Sequence, residues 1–325
     1  MKIESFSDVW FQAWDSFCQT AYQATFLHSR RFLSYHGDKF TDLSLLIKDQ
    51  EDRLIGLFPA AQHPNDAKTV VSHPGITYGG LIHSGKLVGE TMLDAISLVS
   101  QHYTELGYQK LIYKRTPSIY HGVPSDDDSY ALFRLNAKRV RCDLSSTIDV
   151  AFRRDLNQRR KRALKKARAS SLNIRTGDPV IADFWSVLRE NLERKHNATP
   201  VHSLSELQML YQRFPEHMLC VGAYDDTGLQ AGVLLFITQQ CIHAQYIAST
   251  DKGYEISALD LVFDYCINLT VCQQKRWFDF GISTESSGQY LNKGLYQFKT
   301  EFGGGGTVYE FFEMDLVSGE NDALK

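Results

Sequence analysis

Two carboxylates, a histidine and a lysine sit where they can move protons or stabilise charge. Asp279 lies in Trp277-Phe-Asp-Phe-Gly-Ile-Ser-Thr284, and Glu285 follows directly. Both are candidate general bases, because a positioned carboxylate can take a proton from an attacking group. Asp279 points from a buried strand, so its carboxylate needs a partner or a raised pKa; tying strand to loop is its structural alternative. Glu285 is on the loop and more accessible. His243 is a third candidate proton carrier. Strand alternation puts His243 and Gln245 on one face and Tyr246 on the other. A structural histidine is the plainer reading of His243, and Tyr246 either lines an acceptor pocket or packs. A second group is cationic. Arg159, Arg160, Arg162 and Lys165 lie in a basic run that reads as a helix. Two or three of them can hold a phosphate-bearing substrate, since the guanidinium fork meets phosphate oxygens in pairs. The ligands in view are a nucleotide-sugar diphosphate, the 3′-phosphate of coenzyme A or a tRNA backbone; a solvated helix face is the alternative. If the cations bind phosphate, replacing Arg159 and Arg160 by Ala weakens substrate binding and spares folding.

These groups need elements to position them. Residues 277–282 alternate as a strand, with Phe278, Phe280 and Ile282 on one face and Trp277, Asp279 and Gly281 on the other. The next segment reads as a helix with two stripes. Leu291, Leu295, Phe298 and Phe302 form the apolar one; Gln289, Asn292, Tyr296 and Lys299 form the polar one, which can line a cleft or face solvent. Ser286 or Ser287 is expected to cap this helix, and residues 303–306, all glycine, to end it. Asn292 and Tyr296 are thereby candidate substrate contacts.

Upstream, the chain repeats one order of elements. Strands at residues 43–48 and 54–61 lead through an extended stretch to a helix at 87–106 and a strand at 111–114. Strands at 218–224, 231–237 and 242–249 lead likewise to a helix at 258–271, apolar nearly all round and so buried, and a strand at 278–282. Helical segments near 8–35 and 180–214 precede the two halves. This order predicts an α+β fold with mixed, mainly antiparallel sheets and flanking helices, divided into domains at 1–145 and 146–325. In the first half, Ser72-His-Pro-Gly-Ile-Thr-Tyr-Gly-Gly80 is rich in turn residues. Its glycines permit close approach of a ligand, making His73 and Tyr78 candidate contacts; a hairpin or bulge is the alternative.

Composition narrows the function. Residues 153–168 hold nine Lys/Arg and one acid, a local charge of +8 in a chain of net −3, so the remainder carries −11. That excludes a protein that coats DNA generally and leaves one concentrated site for a polyanion. The six cysteines form no Cys-x-x-Cys pair, and the eleven histidines no His-x-x-x-His or His-Glu-x-x-His pattern, so no metal is expected. No apolar run reaches bilayer length, and the N-terminus lacks a signal-peptide core, so a cytoplasmic location is expected.

Asp279-Phe-Gly281 followed by Gly294-Leu-x-x-Phe298-Lys299-x-x-Phe302-Gly303 resembles the C-terminal signature of FemAB-like acyltransferases of the GNAT superfamily. The basic run Asn157-Gln-Arg-Arg-Lys-Arg-Ala-Leu-Lys-Lys-Ala167 is similar to the helix that opens the second domain in that family. His243-Ala-Gln-Tyr-Ile-Ala-Ser249 and Ala258-Leu-Asp-Leu261 resemble members associated with surface-polysaccharide gene clusters. The matches span roughly residues 155–312. The resemblance implies two tandem GNAT-like domains, an acyl-CoA or aminoacyl-tRNA donor, and Lys299 supplying positive charge to the oxyanion. In GNAT folds the donor pyrophosphate sits at the start of the helix after the fourth strand. Here that loop, residues 249–257, carries Lys252, Gly253 and Ser257 as candidate cofactor contacts. It departs from the usual Arg/Gln-x-x-Gly-x-Gly/Ala pattern, and Asp251 and Glu255 repel phosphate. A turn with an N-cap is the alternative.

Together these readings point to an N-acyltransferase. It moves an acyl or aminoacyl group to an amine of a phosphate-bearing, small or lipid-linked cell-envelope precursor, an amino sugar or peptidoglycan, with tRNA as a possible partner. The rival is a non-catalytic module that holds nucleic acid or another polyanion on the basic helix.

Overall fold

Apolar alternation and turn residues divide the chain into sixteen strands and ten α-helices among the described residues, 1–196 and 199–316, of a computed structural model. The first half runs β1 (Lys2–Ser5), α1 (Phe11–Cys18), α2 (Arg30–Leu33), β2 (Leu45–Lys48), β3 (Leu54–Phe58), β4 (Ala61–His63) and β5 (Asp66–Val71). It continues with β6 (Ile82–His83), α3 (Glu90–Glu105), β7 (Lys110–Lys114), α4 (Asp127–Arg134) and β8 (Lys138–Asp149). The second half runs α5 (Gln158–Arg168), β9 (Asn173–Thr176), α6 (Asp178–His196), α7 (Leu204–Arg213), β10 (Met218–Asp225), β11 (Gly228–Ile237) and β12 (Cys241–Ser249). Then come α8 (Asp251–Glu255), α9 (Ala258–Cys272), β13 (Trp277–Ile282), β14 (Thr284–Glu285), β15 (Tyr290–Leu291), α10 (Lys293–Thr300) and β16 (Gly305–Asp315).

Two units result. The first comprises residues 1–143, 285–290 and the chain from Val308; the second comprises 144–284 and 291–307. A single cut near 145 therefore misses two returns of the chain to the first unit. In the first unit β1, β2, β3 and β6 form an antiparallel sheet. β4 pairs antiparallel with β5, β5 parallel with β7, and β7 antiparallel with residues 311–315 of β16. Leu45, Ile47, Phe58, Met92, Ile96 and Tyr113 are central to its core.

In the second unit the strand order is β8, β13, β12, β11, β10, β9, antiparallel except for β12 with β13. Ala258, Val262, Phe263, Cys266 and Ile267 of α9 pack on Val233, Leu235, Ile242, Phe278 and Phe280. The apolar periodicity of α9 thus buries it as expected. α6 covers Gly222 and Gly232, where a Cβ would strike Val180 and Phe184 side chains. Among the described residues no helix is long and apolar enough to cross a membrane, and no group of three or more His, Cys, Asp or Glu is placed to hold a metal. The six cysteines form no disulfide among the described residues, and Cys220, Cys241 and Cys266 are buried.

Candidate active site

The site begins where two parallel strands part. β12 and β13 pair as Cys241 with Trp277, Ile242 with Phe278 and His243 with Asp279. Past that point each strand carries one extra residue. On β12, Leu235 faces Ala244 but Leu234 faces Tyr246, leaving Gln245 as a bulge. On β13, Asp279 faces Thr147 and Ile282 faces Ser145, and Gly281 takes φ +75, a left-handed conformation that favours glycine. The bulge changes which side chains share a face. Ala244 and Ile247, three residues apart, both pack in the α9 cluster, which regular alternation forbids. Tyr246 is thereby returned to the face of His243, not opposed to it as alternation predicts.

On that face the structure brings His243 and Asp279 together. The His243 Nδ1–H donates to Asp279 Oδ2 at 2.7 Å. Ser145 Oγ and Thr147 Oγ1 donate to Oδ1 at 2.5 and 2.9 Å. Asp279 is fully buried, so these bonds replace its lost hydration. A carboxylate with three donors is an acceptor only, which assigns the proton to Nδ1 and makes Nε2 the basic nitrogen. A third element completes the cluster. Lys299 of α10 is 3% exposed, and its Nζ donates to the carbonyls of Gly281 and Ile282 at 2.8 and 2.7 Å. Its tip is thus seated on the bulged end of β13, where the polar stripe leaves cleft lining and a solvent face both open. Burial lowers its pKa to about 8, against the raising influence of Asp279. An ammonium has three N–H groups; two are used here.

Lys299 also lines a pocket of about 510 Å³, together with Ile247, Gly253, Asp260, Leu295 and Phe298. Ile247 lies on β12 beyond the last pair with β13, so the pocket opens in the wedge between the strands. Backbone groups on that edge of β12 have no β13 partner and can meet an extended ligand. The wall is mainly apolar, as a ligand arm requires.

Arg160 closes this pocket from the basic helix, but as a structural cation. Its Nη1 meets Asp260 Oδ1 at 2.7 Å and its Nε meets Glu301 Oε2 at 3.2 Å; its guanidinium carbon lies 4.8 Å from the Phe298 ring centroid. Arg159 also binds Glu301, at 2.7 Å. Arg168 pairs with Asp264 at 2.9 Å. Part of the local +8 therefore neutralises acids inside the second unit. Burial is the main cause that raises Asp260 to a pKa of about 6, with Arg160 opposing it. Replacing Arg160 by Ala leaves Asp260 as an unpaired, mostly buried carboxylate and leaves Glu301 to Arg159 alone. A loss of about 3–5 kcal/mol is expected in chemical denaturation at pH 7. This corrects the expectation that folding is spared; unchanged stability would show the network to be dispensable.

Of the loop after β12, Gly253 and Ser257 line the pocket, and Lys252 does not. Lys252 pairs with Asp225 at 2.7 Å. A Cβ on Gly253 would lie 2.0 Å from the Gln230 carbonyl, so this glycine is required for α8 to reach β11. Ser257 adopts φ 60 before α9 and makes no side-chain cap. Instead Asp260, in the first turn, accepts from its own backbone N–H and supplies the anion that the helix N-terminus favours.

The other candidates scatter. Asn292, not Ser286 or Ser287, caps α10, its Oδ1 accepting from the Leu295 N–H at 3.1 Å. Ser286 and Ser287 take φ 50 and 54 in the preceding turn. Tyr296 is half-buried on α10, with its hydroxyl oxygen against Gly306. Gly303 does more than end the helix: a Cβ there would lie 2.1 Å from the Arg154 carbonyl. Glu285 is exposed on β14 and belongs to the first unit. His73 and Tyr78 are buried in the first unit, Tyr78 Oη donating to Thr25 Oγ1 at 3.3 Å. Arg162 and Lys165 are exposed on α5. His202, just before α7, is 7% exposed, and its Nδ1 lies 2.6 Å from Tyr246 Oη. Ser203 caps α7, in a capping box with Glu206. Ser145, Thr147, Asp260 and Glu301 also escaped the sequence reading. For Asp260 a signal existed: a carboxylate in an otherwise apolar helix needs a cation.

Residues 151–300 match the GNAT acetyltransferase domain. No curated protein matches the sequence. Among solved structures the chain is similar to FemX, with 10% identity, 97% of each chain covered and a TM-score of 0.68. It is similar to the C-terminal domain of a putative lysylphosphatidylglycerol synthetase from Agrobacterium fabrum, with 9% identity, 88% of this chain and 86% of the other covered, and a TM-score of 0.58. It is also similar to a tandem GNAT protein from the clavulanic acid biosynthesis pathway, with 9% identity, coverage of 98% and 99%, and a TM-score of 0.55. The chain has a FemAB-like tandem GNAT fold.

Proposed function

We propose that this acyltransferase of FemAB-like GNAT fold moves an acyl or aminoacyl group to an amine on a phosphate-bearing cell-envelope precursor. The observation that carries the reading is the wedge between β12 and β13, where Lys299, Asp279 and His243 converge beside a mainly apolar pocket. The acyl carbonyl of the donor lies at the wedge. The acceptor amine attacks it, a C–N bond forms, and the carbonyl oxygen becomes an anion. Lys299 supplies positive charge to that oxygen. Nε2 of His243 takes the proton from the amine, and Asp279 holds the ring in the tautomer that makes this possible. Collapse of the intermediate breaks the bond to the leaving group, which receives a proton.

The donor we favour is aminoacyl-tRNA over acyl-CoA. At the N-terminus of α9, where a pyrophosphate would gain most, Asp260 already supplies the negative charge. The acceptor class is supported by the fold shared with FemX and with the domain of a putative lysylphosphatidylglycerol synthetase. The test offers acetyl-CoA and aminoacyl-tRNA separately, each with amine acceptors bearing phosphate, and follows the new amide by mass spectrometry. Amide from aminoacyl-tRNA alone is expected. Amide from acetyl-CoA alone would overturn the donor assignment while keeping acyl transfer. No amide with either, from enzyme of normal melting temperature, would overturn the reading.

A further inference from the structure

Part of the basic helix remains after Arg159, Arg160 and Arg168 are accounted for. Lys161, Arg162, Lys165 and Lys166 are exposed, and none has an acidic partner among the described residues. At 100° per residue they fall within an arc of about 140°, opposite the buried Leu164 and Ala167. Separated from the helix by residues 153–157, the one-turn 3₁₀ helix Val150–Phe152 presents Phe152, 80% exposed. This turn and α5 both pack against α9, whose outer positions Tyr265 and Val271 are 36% and 54% exposed. Asp260, Asp264 and Glu301, which α5 touches, are each engaged by an arginine, and Asp155, exposed on the segment between the turn and the helix, is the one acid among the nine cations of residues 153–168. The result is a positive surface with one exposed phenyl ring on the turn that precedes it, on a chain whose remainder is acidic.

We propose that α5 and the turn before it dock the second unit on an anionic lipid surface. The four cations meet headgroup phosphates, and Phe152 enters the boundary between headgroups and acyl chains. RNA also offers phosphates. Unpaired bases can stack on a phenyl ring, but a duplex phosphate backbone gives no return for Phe152, whereas a bilayer interface accepts it. Long-range attraction orients this face, since the opposite charge elsewhere is repelled. Such docking would bring the enzyme to lipid-linked acceptors, yet it stands independently of the acyl-transfer reading.

The test measures sedimentation of the full chain with phosphatidylcholine vesicles containing no or about one third phosphatidylglycerol. Binding is expected only with the anionic lipid, and it should weaken as salt rises. Lys161→Glu/Lys165→Glu/Lys166→Glu should lower partitioning at least 100-fold, since each lost cation costs about fivefold before reversal is counted. Phe152→Ser should lower it about tenfold at the same salt. Melting temperatures near wild type exclude unfolding as the cause. Equal binding to neutral vesicles, no binding at low salt, or wild-type partitioning by Phe152→Ser would overturn the proposal. So would preferential binding of tRNA that displaces the protein from vesicles and is unaffected by the Phe152 change.

Discussion

Lys299→Met is expected to lower kcat by about 100-fold or more while changing KM little, by analogy with removing one oxyanion donor. Because the ammonium also satisfies the Gly281 and Ile282 carbonyls, the variant should lose stability as well. The aliphatic stem survives in Met, so a folded protein remains to be assayed. A pH profile separates the two roles. Burial lowers the wild-type pKa from 10.5 to about 8, so the required cation is present below pH 8 and kcat should decline above it. Stability moves the other way. Between pH 8 and 10.5 the unfolded chain holds more protons at this position than the folded one, so this lysine makes stability rise with pH there. In the Met variant both trends attributable to the lysine should vanish. If wild-type kcat stays flat from pH 7 to 10, Lys299 acts only as a clasp on the strand end.

The order of strands and helices was legible because each obeys one period. α9 is apolar all round and is buried; β10 and β11 are apolar runs parted by a turn at Asp225. The site was legible in residue type but not in geometry. Asp279, His243 and Lys299 carry groups suited to the proposed chemistry, yet alternation assumes a regular strand, and the cluster is made by two irregularities in register. Gln245 gives no local warning of a bulge; Gly281 gives a weak one. The stripe reading allowed Lys299 to line a cleft, and it lines the pocket, but periodicity could not show that its tip extends into a neighbouring strand end where carbonyls need donors. The helix start was misplaced because Ser286 and Asn292 are both good caps, and only the turn between them decides. The charge count was correct in sum. It could not say that the acids neutralising Arg159, Arg160 and Arg168 lie 142, 100 and 96 residues away in sequence, just past α10 and on α9.

Asp279→Asn should be the more severe change for chemistry. The substitution keeps shape, and the amide oxygen can still accept from Ser145 and Thr147. The amide NH₂ then faces His243 Nδ1 and must donate to it. That forces the imidazole proton to Nε2, so the nitrogen proposed to take the amine proton already carries one. A loss in kcat of about 10³–10⁴ is expected, the order seen when a carboxylate that fixes a catalytic tautomer is removed. Asp279→Ala is the contrasting variant. It leaves His243, Ser145 and Thr147 without their shared acceptor in a buried site, and a stability loss of about 3–5 kcal/mol should appear with it. The ¹⁵N shifts of the His243 ring report the tautomer directly. In the wild type they should show Nδ1–H, and in Asp279→Asn Nε2–H. A flipped tautomer with kcat within tenfold of wild type would remove His243 as the base. An unflipped tautomer with a large loss would place the requirement on the negative charge of Asp279 itself.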